Sequence, residues 1–188
     1  MLVNTFCAAV NGLEVTTVKV EVSMTRGVQF HLTGLADTAV RESYDRIRAA
    51  LQNNGLKMPM MDITANLSPA DIKKEGSGYD LPLAIGILAA SGKVDGSRLN
   101  DYMMVGELGL DGRLQPIRGA LPIAIRARAE HFKGLIVPKQ NIREAAVVNQ
   151  IEVYGMETLI DVANFFNGSS EIAPTVIDTR KEFYEQQS

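Results

Sequence analysis

The segment Lys73-Lys74-Glu75-Gly76-Ser77-Gly78-Tyr79-Asp80 holds the residues best placed by type and spacing to do chemistry in this 188-residue chain. Two glycines flank a serine directly before Leu81 to Ala90, a run that is apolar on nearly every side. In that setting the N–H groups of Gly76, Ser77 and Gly78, backed by a helix dipole, can face an anion or a developing oxyanion, and Ser77 becomes a candidate nucleophile. The competing account is a tight turn in which Gly76 and Gly78 supply positive φ and Ser77 caps the helix. A hydroxyl nucleophile also needs a base within hydrogen-bonding reach. His31 sits in a strand pattern and His131 at a helix end, so both are expected to be packed or exposed rather than catalytic.

Other chemistries find less support. No G-x-x-x-x-G-K-[ST] run occurs, so the phosphate cradle of a P-loop NTPase is missing from these residues. Gly106-Glu107-Leu108-Gly109 lacks the third glycine and the strand-turn-helix setting of a dinucleotide fingerprint. Glu75, Asp80, Glu107 and Asp111 have no metal-ligand spacing and read as solvated loop and cap residues, so no metal site is expected. The single cysteine, Cys7, permits neither an intrachain disulfide nor a cysteine zinc site, as a reducing compartment allows.

The net charge is −3, against the basic excess usual in a free-standing nucleic-acid binder. It conceals a pattern: residues 113–143 carry +6, residues 144–188 carry −6 and residues 1–112 carry −3. Arg113, Arg118, Arg126 and Arg128 are therefore candidates for contact with an anionic partner, DNA or a neighbouring subunit; the alternative is a solvated helix face.

The elements that must position these groups follow from periodicity. Thr16–Val22 and Val28–Leu32 alternate as half-buried strands, with Gly12 and Gly27 as turns. Val40, Tyr44, Ile47 and Leu51 fall at helical spacing, with Asp37 or Thr38 as N-cap and Asn54-Gly55 as the stop. Glu42 with Arg46 and Asp45 with Arg48 are spaced for pairing on that helix, which makes Arg41, Arg46 and Arg48 surface residues. Met61–Leu67 is a strand; Leu81–Ala90 is a buried helix with Asp80 as N-cap, Pro82 in its first turn and Gly92 at its end. Tyr102–Leu110 predicts a strand, and Asp111-Gly112 a hairpin turn into Arg113–Pro116. A helix from Gly119 to about Phe132, a strand Leu135–Val137, a helix Asn141–Val148, a strand Ile151–Tyr154 and a helix Thr158–Phe166 complete the pattern. The fold class is thus α+β, with α/β layers and helices packed on a mixed sheet.

Length and composition agree with one domain and a sizeable core: 46% of residues are hydrophobic and 22% charged. No apolar run is long enough to span a membrane and the start lacks the order of a signal peptide, so a cytoplasmic protein without membrane contact is expected. Residues 1–168 form the expected domain, and residues 169–188, polar and acidic, a linker or tail.

Four blocks, taken in order, resemble one family: Leu32 to Ser43; Asn66-Leu67-Ser68-Pro69-Ala70-Asp71; Lys74 to Ala84; and Gly106 to Leu114 with Pro116 to Pro122. The likeness, from Met1 to about Gly168, is to the N-terminal domain of the ComM/YifB proteins, bacterial AAA+ ATPases often labelled magnesium-chelatase-like. It implies a ribosomal protein S5 domain 2-like fold in its Lon-protease-like form. It also implies that the P-loop, and with it ATP and Mg, belongs to a AAA+ cassette beyond Ser188, reached through the acidic tail.

The same resemblance implies a ring-shaped, hexameric assembly acting on single-stranded or branched DNA in competence and recombination, in which this domain serves ring assembly or DNA engagement without catalysis of its own. Lon-type peptidases place a serine before the buried helix and a lysine after it. Here those positions fall on Gly78, one residue from Ser77, and on Leu121, and no lysine lies between Arg113 and Phe132. The remaining alternatives are an unusual serine hydrolase using Ser77 and a phosphate- or nucleotide-binding module at Gly76–Gly78.

Overall fold

The computed structural model describes residues 1–177. A seven-stranded mixed sheet has the order β3-β4-β2-β1-β5-β8-β9. Its strands are β1 (Leu2–Asn11), β2 (Glu14–Thr25), β3 (Phe30–Thr33), β4 (Asp62–Ser68), β5 (Tyr102–Met104), β8 (Gly134–Pro138) and β9 (Glu152–Met156). β1, β2 and β4 pair antiparallel, whereas β3 with β4 and the run β1-β5-β8-β9 pair parallel. Helices connect the parallel strands, as parallel pairing requires. The antiparallel part leaves one face open, where Thr33, Asn66 and Glu21 form a polar ladder across three strands.

The helices are α1 (Thr38–Arg41), α2 (Ser43–Asn53), α3 (Asp80–Ala90), α4 (Ala120–Ala129), α5 (Ile142–Ala146) and α6 (Leu159–Phe166). All eleven residues of α3 are buried, which explains its lack of a polar face. It lies across β1 and β2 so closely that a Cβ on Gly86 would stand 2.8 Å from Val22 Cγ2. α2 and α6 flank α3 on that face, and α4 with α5 cover the other.

Several expectations are corrected. β1 is a full strand although its sequence does not alternate; Cys7, Ala8 and Ala9 are buried in succession because both of its faces are covered there. The helix expected from Asp37 onward is two: α1, capped by Asp37 Oδ1 accepting from Val40 N–H at 2.8 Å, and α2, with Glu42 between them. The strand expected over Tyr102–Leu110 divides into β5 and β6 (Glu107–Leu108), and β6 forms the anticipated hairpin with β7 (Leu114–Gln115). The break occurs where Gly106 leaves the sheet to exchange backbone bonds with the start of α3. α4 and α5 are shorter than their patterns suggest, whereas α6 starts at a full capping box of Thr158 and Asp161.

After Gly168 the chain returns to the body. Ile172 and Ile177 pack against the core, and Thr175 N–H donates to Val153 O at 2.8 Å along β9. The rest of the expected linker, 178–188, lies outside the described residues. Among those described, no helix is long and apolar enough to cross a membrane.

Candidate functional site

The turn before α3 opens onto a cleft of about 690 Å³, bounded by β1, the 75–79 segment, β6 and the loop leading into α4. Asp37 fixes its rim. One carboxylate oxygen caps α1, and the other accepts from Gly76 N–H at 3.1 Å. Ala36 and Lys74 form a parallel bridge beside it, with Asp37 N–H donating to Lys74 O and Lys74 N–H to Leu35 O.

Of the N–H groups expected to face an anion, that of Gly76 is taken up within the fold, as are those at the start of α3. Gly76 donates to Asp37, Asp80 N–H to Ser77 O at 3.1 Å, and Leu81 N–H to Gly106 O at 3.0 Å. Pro82 has no N–H, and Leu83 already donates within the helix, to Tyr79 O. Gly106 N–H in return bonds Gly78 O at 3.0 Å. A helix start normally leaves its first N–H groups free; here Ser77 O takes that of Asp80 and the close approach of Gly106 takes that of Leu81.

Ser77 is half-buried and lines the cleft, but no lysine or histidine does. The ionisable lining consists of Asp37, Glu75, Glu107 and Arg118. His31 and His131 are exposed elsewhere. Lys74, three residues from Ser77 in the chain, is fully buried and donates its ammonium to Pro69 O. Burial lowers its pKa. Gly78 has room for a side chain, since a Cβ would meet only Ile117 Cγ2 at 3.7 Å. Leu121, on α4, does not line the cleft.

Two residues assigned to the surface belong inside. Asp80 is not the N-cap of α3; Tyr79 holds that position, and the Asp80 side chain is wholly buried. Arg46 turns inward to pair with it at 2.6 Å instead of lying along α2 beside Glu42. The signal for this pairing was present: a helix apolar all round buries even its first turn, so a carboxylate there needs a cationic partner. Arg41, Arg48, Glu75 and Asp111 are exposed, as expected.

The basic block does not form one patch. Arg113 lies 3.8 Å from Asp111, beside Lys139, while Arg118 stands at the cleft. Arg126 binds Glu130 at 2.6 Å and Thr17 on β2, and Arg128 reaches Asn149 beyond α5. Residues two apart on a helix point to different sides, which separates Arg126 from Arg128. Among the described residues no cluster of His, Cys, Asp and Glu could hold a metal ion.

Comparison with known proteins adds the following. Residues 20–141 match the family model of subunit ChlI of Mg-chelatase. The chain is 42% identical over 172 residues to competence protein ComM of Haemophilus influenzae, covering 91% of this chain and 33% of that protein. It is 41% identical over 139 residues to the uncharacterized protein YifB of Escherichia coli, covering 73% of this chain and 27% of that protein. Lon protease 2 of Bacillus subtilis is 27% identical over 201 residues, covering 92% of this chain and 36% of that protein. The chain thus spans about a third of the length of its relatives.

Proposed function

The chain belongs to the ChlI/ComM–YifB family, a magnesium-chelatase-like group with a Lon-like fold, and on that premise we propose that it is the non-catalytic N-terminal domain of a ring-forming AAA+ ATPase. The ATPase, with its ATP and Mg, lies in the part of the protein outside this chain. The ring is a hexamer that drives DNA helicase or branch-migration work during uptake and recombination, and this domain contributes to subunit contact or DNA engagement in the cytoplasm.

The single observation that carries the non-catalytic reading is the cleft at Ser77. It has carboxylates and one guanidinium on its walls, no lysine or histidine, and Lys74, three residues before Ser77 in the chain, donates to Pro69 O. A serine nucleophile needs a base in reach, and the lysine or histidine that would serve is absent from the lining. The dispersal of Arg113, Arg118, Arg126 and Arg128 over separate surfaces supports local contacts, within a ring, over a continuous DNA-binding face on this domain alone. Uptake of Gly76 N–H by Asp37 works against a phosphate cradle at Gly76–Gly78.

The test compares the full-length protein with a form lacking residues 1–168, measuring ATPase rate, hexamer content and unwinding of forked DNA. ATPase activity retained with hexamers or unwinding lost is the expected result; unchanged assembly and unwinding would sink the proposal. Labelling of Ser77 by a fluorophosphonate, abolished by Ser77→Ala, would instead establish the hydrolase alternative.

A further inference from the structure

We propose that the cleft binds a carboxylate carried on an apolar group, held by the N–H groups of Ser77, Gly78 and Tyr79 and by the Arg118 guanidinium. The turn supplies the first argument. Asp37 takes the N–H of Gly76 and Ser77 O that of Asp80, but the three N–H groups between them have no acceptor among the described residues. They lie in the turn that leads into α3, and all three residues line the cleft. Successive free N–H groups ahead of a helix attract an anion.

Tyr79 supplies a second, independent argument. It is 2% exposed and lines the cleft, yet its hydroxyl bonds no other described group. Among the described residues, the sealed side-chain oxygens without a partner belong to Asn4 and Ser170. The Tyr79 oxygen therefore opens to solvent, and the cleft is where this residue meets it. Burial raises its pKa and keeps the proton on it, so it is a donor. A buried donor needs an acceptor, and a carboxylate in the cleft provides one.

Charge and shape select the anion. Asn141 clamps Ile117, accepting from its N–H and donating to its C=O, both at 2.9 Å, and a Cβ on Gly78 would stand 3.7 Å from Ile117 Cγ2. Arg118 follows directly, on the cleft lining and without a partner among the described residues. Of the three carboxylates there, Asp37 has both oxygens bonded and Glu75 pairs with Lys73 at 3.1 Å, so Glu107 alone is left to oppose Arg118. The N–H groups then hold a single negative charge, which a phosphate dianion exceeds. Ala8, Ile117 and Ile123 give the wall an apolar surface for the group that bears the carboxylate.

The inference rests on the reading of the cleft as non-catalytic, and the experiment separates the two. The isotopically labelled 188-residue chain is titrated with N-acetyl-alanyl-leucine, its C-terminal amide, isovalerate and inorganic phosphate, followed by backbone amide shifts, and a second sample is treated with a fluorophosphonate. Saturable shifts at Ser77, Gly78 and Tyr79 are expected with the dipeptide acid, with about tenfold weaker binding of the amide and of phosphate. Arg118→Gln, an exposed position whose thermal unfolding is unchanged, and Tyr79→Phe are each expected to weaken binding of the acid about fivefold. Isovalerate binding equal to the dipeptide identifies a free acid as the source and weaker isovalerate binding a chain terminus; either result bears out the site. Binding of the amide or of phosphate as tight as that of the acid, shifts that leave the three amides unmoved, or no binding at millimolar concentration would overturn it. Labelling of Ser77 would overturn the non-catalytic reading and leave carboxylate binding standing; neither shifts nor labelling would do the reverse.

Discussion

Arg46 holds Asp80 through two parallel hydrogen bonds, Nε to Oδ2 at 2.6 Å and Nη2 to Oδ1 at 3.0 Å. The same carboxylate accepts from Ser43 Oγ at 2.6 Å and from Leu108 N–H at 3.0 Å, so its acceptor positions are filled. One side chain thereby joins α2, α3 and β6 beneath the cleft. Burial raises the Asp80 pKa, and the bonds from Arg46, Ser43 and Leu108 oppose that rise; on Arg46, the Asp80 bond drives the pKa up.

Breaking this pair leaves a charge without its partner in the interior, where removal of one member costs about 3–5 kcal/mol. Asp80→Leu and Arg46→Met are each expected to lower the urea unfolding free energy by about that amount. The double variant Asp80→Leu/Arg46→Met loses distinctly less than the sum, because no unpaired charge remains. Additive losses would show that the two residues act independently.

Gly86 permits the contact of α3 with β2. Gly86→Ala brings a methyl group within 2.8 Å of Val22 Cγ2, and overpacking of this kind costs about 1–3 kcal/mol in spite of the better helix propensity of alanine. Adding Val22→Ala relieves the clash, so Gly86→Ala is expected to cost less in that background. Chemical denaturation of the four proteins in the cycle measures the difference.

The Cys7 thiol lies under the turn, 3.8 Å from Gly78 O, and burial pushes its pKa from about 9 to about 12. The folded state therefore keeps a proton that the unfolded chain releases. Stability from this group is complete below pH 9 and is lost as pH rises from 9 towards 12, at up to about 1.4 kcal/mol per pH unit. Tyr79, raised by burial, adds a loss of the same sign at higher pH, whereas the lowered pKa of Lys74 acts oppositely. Cys7→Ala leaves a cavity at every pH but lacks the thiol contribution, so its deficit relative to the parent should narrow between pH 9 and 11 in urea titrations. A constant deficit would contradict the assignment.

Asp37 serves α1 and the Gly76 turn with its two oxygens. Asp37→Ala removes a cap worth about 0.5–2 kcal/mol and frees Gly76 N–H. Amide exchange at Gly76 and Val40 should accelerate together, while exchange in the middle of α3, which Asp37 does not touch, follows only the global loss of stability. Asp37→Asn, which retains an acceptor, should recover most of the Val40 protection.

Local pattern made much of the fold legible. The all-apolar run Leu81–Ala90 can only be a buried helix, and Asp111-Gly112 can only turn tightly between β6 and β7, because these properties depend on residues adjacent in the chain. β1 escaped detection because its buried residues do not alternate. The site was legible as a segment, Gly76-Ser77-Gly78 before a helix, but its chemistry was not. Whether its N–H groups are free depends on Asp37 and Gly106, and whether Ser77 has a base depends on where Lys74 points.

By itself the sequence determined the element types, the layered α+β class, the family resemblance and the missing P-loop, all properties of short-range spacing or of residues present or absent. Only the tertiary structure decided that Arg46 belongs with Asp80 and that the basic block scatters over separate surfaces. It also decided that the turn at Ser77 opens into a cleft beside β1. The reason is the same in each case: helix phase and strand pairing set the direction of a side chain, and burial sets the energy of its charge, so residues far apart in the chain choose one another's partners.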